Sequence, residues 1–199
     1  VVVQAARLSL PIGFVAAGGR SRRMGTDKAL LPWSGSTLLD HALARLRAVT
    51  PDVRILSGSQ PRYRERGVPL VLDGVPDAGP LGGLDAALAA AAGRPVLLLA
   101  VDLPFVTTAV LERLLEGLEG WDAAVPVLHG RPEPLCAVYG PACREAVRDR
   151  LQAGERRMTA FFEDVRIHAL TEQALEGLGD IVSLFRNLNS PEDLEGGGG

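Results

Sequence analysis

Apolar residues recur along this chain in two rhythms. Apolar runs at 12–17, 53–56, 70–72 and 96–101, interrupted only by Gly13 and Arg54, are each closed by glycine, serine or aspartate. Their length and boundaries predict strands, and the run at 96–101 predicts one buried on both faces. At 37–49, 81–92, 108–118 and 141–152 the apolar residues instead fall at helical spacing. Ser36 and Thr107 are the expected caps of the first and third helices, Gly93 stops the second, and Pro141 suits the first turn of the fourth. Residues 123–127 and 135–139 read as extended. A short helix near 158–162, a strand near 165–170 and a last helix after Ser190-Pro191 complete the pattern.

Strands that alternate with helices predict an α/β fold: a three-layer α/β/α, Rossmann-like domain built on a mainly parallel sheet. The 199 residues suit one domain, expected over 1–195, with a flexible glycine tail at 196–199. In such sheets ligands sit beyond the carboxyl ends of the strands, so the residues that close each run are where chemistry is expected.

Composition narrows the classes. Forty-seven per cent of residues are apolar and 23% are charged, the balance of a soluble globular protein. No apolar run reaches the roughly twenty residues of a membrane span, and Val1-Val2-Val3 lacks the flanks of a signal peptide, so no membrane partner is expected. A net charge of −3 speaks against a general nucleic-acid binder. Cys136 and Cys143 form neither a disulfide framework nor a zinc spacing with the three histidines, which predicts two buried thiols and a reducing, cytoplasmic setting. Of the 21 basic residues only Lys28 is lysine, and Asn187 and Asn189 are the only asparagines. Residues that survive such a skew are expected where arginine cannot substitute.

The densest chemistry follows the first strand: Ala16-Ala17-Gly18-Gly19-Arg20-Ser21-Arg22-Arg23-Met24-Gly25-Thr26-Asp27-Lys28. Glycines let backbone amides approach an anion, while Arg22, Arg23 and Lys28 supply charge for a triphosphate or a departing pyrophosphate. No Gly-Lys-Ser/Thr follows and no Gly-x-Gly-x-x-Gly is present, which removes the Walker and dinucleotide readings. Asp102 closes the most apolar strand. A carboxylate there needs a cation, and magnesium shared with phosphate oxygens fits.

Other positions admit two roles each. Asp73 closes the third strand either as a turn residue or as an acceptor for a base or ribose. In Gly79-Pro80-Leu81-Gly82-Gly83-Leu84 the small residues serve a ligand edge at a helix start or tight helix-on-sheet packing. Arg156 and Arg157 form a phosphate clamp or a solvated helix end. Together these features describe a nucleotidyltransferase that uses Mg2+ to move a nucleoside monophosphate onto a phosphate acceptor.

The combination of the glycine-arginine loop, Gly79-Pro80-Leu81-Gly82-Gly83, the 152–157 segment and Asn187-Leu188-Asn189-Ser190-Pro191-Glu192-Asp193-Leu194 resembles the molybdenum cofactor guanylyltransferase family (MobA), with a likeness running from Gly13 to about Leu194. The resemblance implies the nucleotide-diphospho-sugar transferase type of fold and transfer of GMP from GTP to the terminal phosphate of molybdopterin or Mo-molybdopterin, releasing pyrophosphate. It implies a GTP site of Ala16, Ala17, Gly18, Gly19 and Lys28, with Ser57 and Asp73 toward the nucleoside and Asp102 on the metal. Lys28, Arg23 and Asp102 would carry catalysis. Gly82, Arg156, Arg157, Asn187 and Asn189 would meet the substrates, the last four on the pterin side, and transient contacts with molybdenum cofactor insertion proteins would follow. The family loop begins Leu-Ala-Gly-Gly where this chain has Ala16-Ala17-Gly18-Gly19, and some relatives carry Asn where Ser57 stands. The competing expectations are cytidylyl or other nucleotidyl transfer to a related acceptor, and a nucleotide-binding regulator without catalysis.

Overall fold

The computed structural model describes residues 10–18, 27–75 and 78–188. In chain order its elements are β1 (Ile12–Ala16), β2 (Pro32–Trp33), β3 (Ser36–Thr37), α1 (Leu38–Val49), β4 (Val53–Leu56), β5 (Leu70–Val71), α2 (Gly79–Ala91), β6 (Val96–Ala100), α3 (Thr108–Glu116), β7 (Ala123–Leu128), β8 (Arg131–Pro132), β9 (Cys136–Tyr139), α4 (Cys143–Gln152), β10 (Ile167–Thr171) and α5 (Ile181–Leu184). An eight-stranded sheet runs β10-β7-β9-β6-β1-β4-β5, with β8 paired to β7, and β2 and β3 form a separate hairpin.

Strand alternation sorts the core into two layers. Ile12 and Phe14 of β1, with Val96 and Leu98 of β6, pack against Leu81, Leu84 and Leu88 of α2 and Val147 of α4. Val15, Leu97 and Leu99 point the other way, onto Leu39, Leu43 and Leu46 of α1 and Val110, Leu111 and Leu114 of α3. This is the expected three-layer α/β/α arrangement.

β1 pairs in parallel with β4 and β6, β4 with β5, and β7 with β10. β9 is antiparallel to both β6 and β7. Its direction follows from chain length. Only the hairpin with β8 separates it from β7, too little for a parallel crossover, and His129 and Gly130 turn that hairpin at φ of 50° and 74°.

Local signals moved in three places. Thr37, not Ser36, caps α1: its Oγ accepts from the amide of Asp40 at 3.2 Å, while Ser36 belongs to β3 and donates to the Asp40 carboxylate. α2 begins at Gly79, two residues before the expected start, because Pro80 fits a first helical turn. The helix expected near 158–162 is a run of i to i−3 turns and a short 3-10 segment, which suffices to bury Met158 and Phe161. The helix expected after Ser190-Pro191 lies outside the described residues.

Candidate active site

The parallel strands β1, β4, β5 and β6 end on one rim, where a cavity of about 140 Å³ opens. Ala16, Ala17 and Gly18 line it from the end of β1, Asp73 from beyond β5, and Asp102 from beyond β6. Asp27 and Lys28 form a further wall, and Gly79, Pro80 and Gly83 of α2 close the side toward the second helical layer. The rim is stitched by backbone bonds: the Asp73 amide donates to the carbonyl of Gly58 at 3.0 Å, and the Ala17 amide to that of Leu56 at 3.0 Å.

Lys28 and Asp102, 74 positions apart, meet in this cavity. Lys28 Nζ donates to Asp102 Oδ2 at 3.1 Å, with side chains 16% and 28% exposed. Both charges are therefore partly withdrawn from water but remain reachable by a ligand. Lys28 opens a 3-10 turn, Lys28–Leu30, whose cap is Asp27: the Asp27 carboxylate accepts from the Ala29 amide at 3.2 Å.

Asp73 is half-buried, and among the described residues its carboxylate has no hydrogen-bond partner. Burial raises it above the usual carboxylate range. A Cβ on Gly83 would lie 3.7 Å from its Oδ1, so the bare face of α2 leaves space beside an acceptor-rich group.

Glu133 was not foreseen. The β6–β9 ladder pairs Leu99 with Cys136, and the Ala100 amide donates to the Leu135 carbonyl at 2.8 Å. Beyond that bond both chains turn: the Cys136 amide donates to the Glu133 carbonyl at 3.1 Å, so Glu133 stands at the turn that leads into β9, within reach of the Asp102 charge. Burial and, behind it, the charge of Asp102 raise the Glu133 carboxyl. The sequence signal was faint: an acid between two prolines in Arg131-Pro132-Glu133-Pro134.

Several expected ligand residues stand elsewhere. Ser57 is buried and its hydroxyl donates to the Gln60 carbonyl at 2.8 Å, which holds a turn and leaves it out of the cavity lining. Gly82 faces Ala78, and its neighbour Gly83 is the residue that lines the cavity. Arg156 donates to the carbonyls of Leu151 and Glu155, and its own carbonyl lies 3.5 Å from the point where a Cβ on Gly79 would sit, so its backbone borders the rim while its side chain turns to the end of α4. Arg157 is exposed and does not line the cavity. Asn187 is exposed, but the next residue, Leu188, donates its amide to the Asp102 carbonyl at 3.0 Å, which brings the asparagine segment beside the strand tip. Gly19, Arg23 and Asn189 lie outside the described residues.

Cys136 and Cys143 are free and buried, as expected. Burial, with the nearby Asp122 charge, pushes the Cys143 thiol up to about 12, which leaves it inert. No helix among the described residues is long and apolar enough to cross a membrane.

Comparison with known proteins shows the family of the chain. The profile of the MobA-like NTP transferase domain matches residues 13–170. The chain is similar to a probable molybdenum cofactor guanylyltransferase of Pelotomaculum thermopropionicum, 37% identical over 92% of this chain and 89% of the relative. It is also similar to a molybdenum cofactor guanylyltransferase of Syntrophotalea carbinolica, 32% identical over 91% and 87%. Among solved structures it is similar to molybdopterin-guanine dinucleotide biosynthesis protein A of Archaeoglobus fulgidus, with a TM-score of 0.79, 26% identity, and 92% and 95% of the two chains covered.

Proposed function

Because the chain belongs to the family of MobA-like NTP transferases, we propose that it transfers GMP from GTP to the terminal phosphate of molybdopterin or Mo-molybdopterin, releasing pyrophosphate. The observation that carries this reading is the meeting of Lys28 and Asp102 at 3.1 Å in one cavity at the strand tips. A phosphate nucleophile is already anionic, so the reaction calls for alignment and charge stabilisation more than for a general base.

The donor set fits magnesium. Asp102 is a hard oxygen donor that lines the cavity at the end of β6, and the Glu133 carboxyl lies near enough to feel its charge. Such a site leaves the remaining coordination positions to water and phosphates, as magnesium prefers. Magnesium, when bound, would neutralise phosphate charge and polarise the α-phosphoryl group.

The chain's own residues do the rest. The Lys28 ammonium, now paired with Asp102, would exchange that partner for polyphosphate oxygens and stabilise charge growing on the pyrophosphate leaving group. The backbone of Ala16, Ala17 and Gly18 presents a wall without bulk to the nucleotide. Asp73, an acceptor without a partner among the described residues, suits the N–H groups of guanine or the hydroxyls of ribose. The pterin substrate would approach past the segment that carries Asn187, beside Asp102, and the backbone at Arg156, beside Gly79.

Pyrophosphate release with molybdopterin and Mg2+, measured in parallel with GTP, CTP and ATP, tests the reading. GTP is expected to support release, with formation of the guanine dinucleotide. Release with CTP at a higher rate than with GTP would reassign the base.

A further inference from the structure

Lys28 is held by side chains from a different part of the chain. Tyr63 is buried, and its hydroxyl lies 2.9 and 2.8 Å from the two carboxylate oxygens of Asp27, to which it donates its one proton. Arg62 Nη1 donates to Asp27 Oδ2 at 3.1 Å. Its Nη2 reaches back to the carbonyls of Ala17 at 3.3 Å and Ser57 at 3.4 Å. One guanidinium therefore grips the chain at Ala17, where it leaves β1, and again at Asp27, where it returns beside Lys28. The Arg62 guanidinium also sits 5.2 Å from the Tyr63 ring centroid. The backbone accepts an unfavourable conformation to place this pair: Tyr63 has a φ of 67°, uncommon for a bulky residue.

Asp27 itself receives three donors. Its carboxylate receives Tyr63, Arg62 and the Ala29 amide, and that last bond fixes the turn in which Lys28 is the first residue. We propose that Arg62 and Tyr63 are positioning residues that act through Asp27 to aim the Lys28 ammonium into the cavity, so that the loop after β4 governs how the polyphosphate is gripped. The proposal rests on the guanylyl-transfer reading for its kinetic consequence, and on geometry alone for the link to Lys28.

The lone lysine makes the link measurable without turnover. Protein labelled with 15N-lysine gives a single lysine amide signal and a single side-chain ammonium signal, both from Lys28. Tyr63→Phe keeps the buried ring and removes only the hydroxyl. It is expected to shift both signals with the cooperative melt preserved, and to lower kcat for pyrophosphate release from Mg-GTP in the presence of molybdopterin by about tenfold or more. In a Lys28→Ala background the same substitution is expected to add no further loss, because its effect passes through that ammonium. Arg62→Lys, which retains charge but loses the two-ended grip, is expected to shift the same signals. Lysine signals at their wild-type positions in Tyr63→Phe, or an equal fold-loss in both backgrounds, would overturn the proposal. A wild-type protein that binds Mg-GTP but releases no pyrophosphate when molybdopterin is supplied would instead refute guanylyl transfer, and the lysine signals together with Mg-GTP affinity in the two variants would still decide the positioning claim.

Discussion

Gly18 and Gly58 touch backbone to backbone: a Cβ on Gly18 would lie 2.6 Å from the Gly58 nitrogen and 2.9 Å from its Cα. The tips of β1 and β4 can close on each other only because Gly18 has no side chain. Gly18→Ala must push one tip away. A melting temperature lowered by the equivalent of about 1–3 kcal/mol is expected, together with weaker GTP binding. Gly74→Ala provides the contrast, since nothing lies within 4 Å of its added Cβ. Equal melting temperatures for the two variants would contradict the account of the rim.

Asp73 exchanges stability for ligand binding. Burial raises its carboxyl above the unfolded value, so its contribution to stability is present below the unfolded pKa and is lost as pH rises through the folded one. Asp73→Asn removes that penalty. The variant is expected to match the wild type in acid and to be the more stable of the two at neutral pH, while its GTP affinity, measured by calorimetry, falls by roughly tenfold or more. Undiminished affinity would remove Asp73 from the nucleoside site.

At the opposite end of the sheet, charge serves only the fold. Asp52 accepts from Arg54 at 3.3 and 3.2 Å and from Arg94 at 2.8 Å, and Arg94 also donates to the carbonyls of Leu10 and Pro11. Burial works against the Asp52 carboxylate, but these bonds outweigh it and hold its pKa below the usual value. The stabilisation is thus present above the unfolded pKa and is lost as pH falls through the folded one. Asp52→Asn is expected to cost about 1 kcal/mol at neutral pH, less in strong acid, with turnover unchanged. A loss of turnover at constant stability would show a link to the cavity that the structure does not contain.

Glu133 feels the Asp102 charge and would supply a second carboxylate beside the metal. Removing its charge by Glu133→Gln is expected to weaken Mn2+ binding in the presence of GTP on the order of tenfold, read from free Mn2+ by electron paramagnetic resonance. Because the substitution also relieves repulsion with Asp102, the melting temperature is not expected to fall. Unchanged Mn2+ affinity would leave Asp102 as the single carboxylate donor.

What the sequence disclosed follows from how each feature is encoded. β1 and β6 were legible because strands buried on both faces are continuous apolar runs, and Lys28 and Asp102 because they sit where those runs stop or where composition forbids chance. Gly83 lines the cavity while Gly82 faces Ala78 because consecutive helical positions point about 100° apart, which the composition of the segment does not distinguish. The Ser57 hydroxyl donates to a carbonyl three residues on and lies outside the cavity lining, an arrangement that leaves no trace in composition. Glu133, brought near Asp102 by the turn into β9, and the Asp27 network, built on contacts across about 35 positions, depend on distant parts of the chain that no local pattern records.

The most direct measurement is pyrophosphate release from GTP with molybdopterin and Mg2+, comparing the wild type with Lys28→Ala and Asp102→Ala after both variants are shown to melt cooperatively. If the two side chains grip one polyphosphate, each variant loses on the order of a hundredfold or more in turnover. Release at nearly the wild-type rate by either variant would contradict the account.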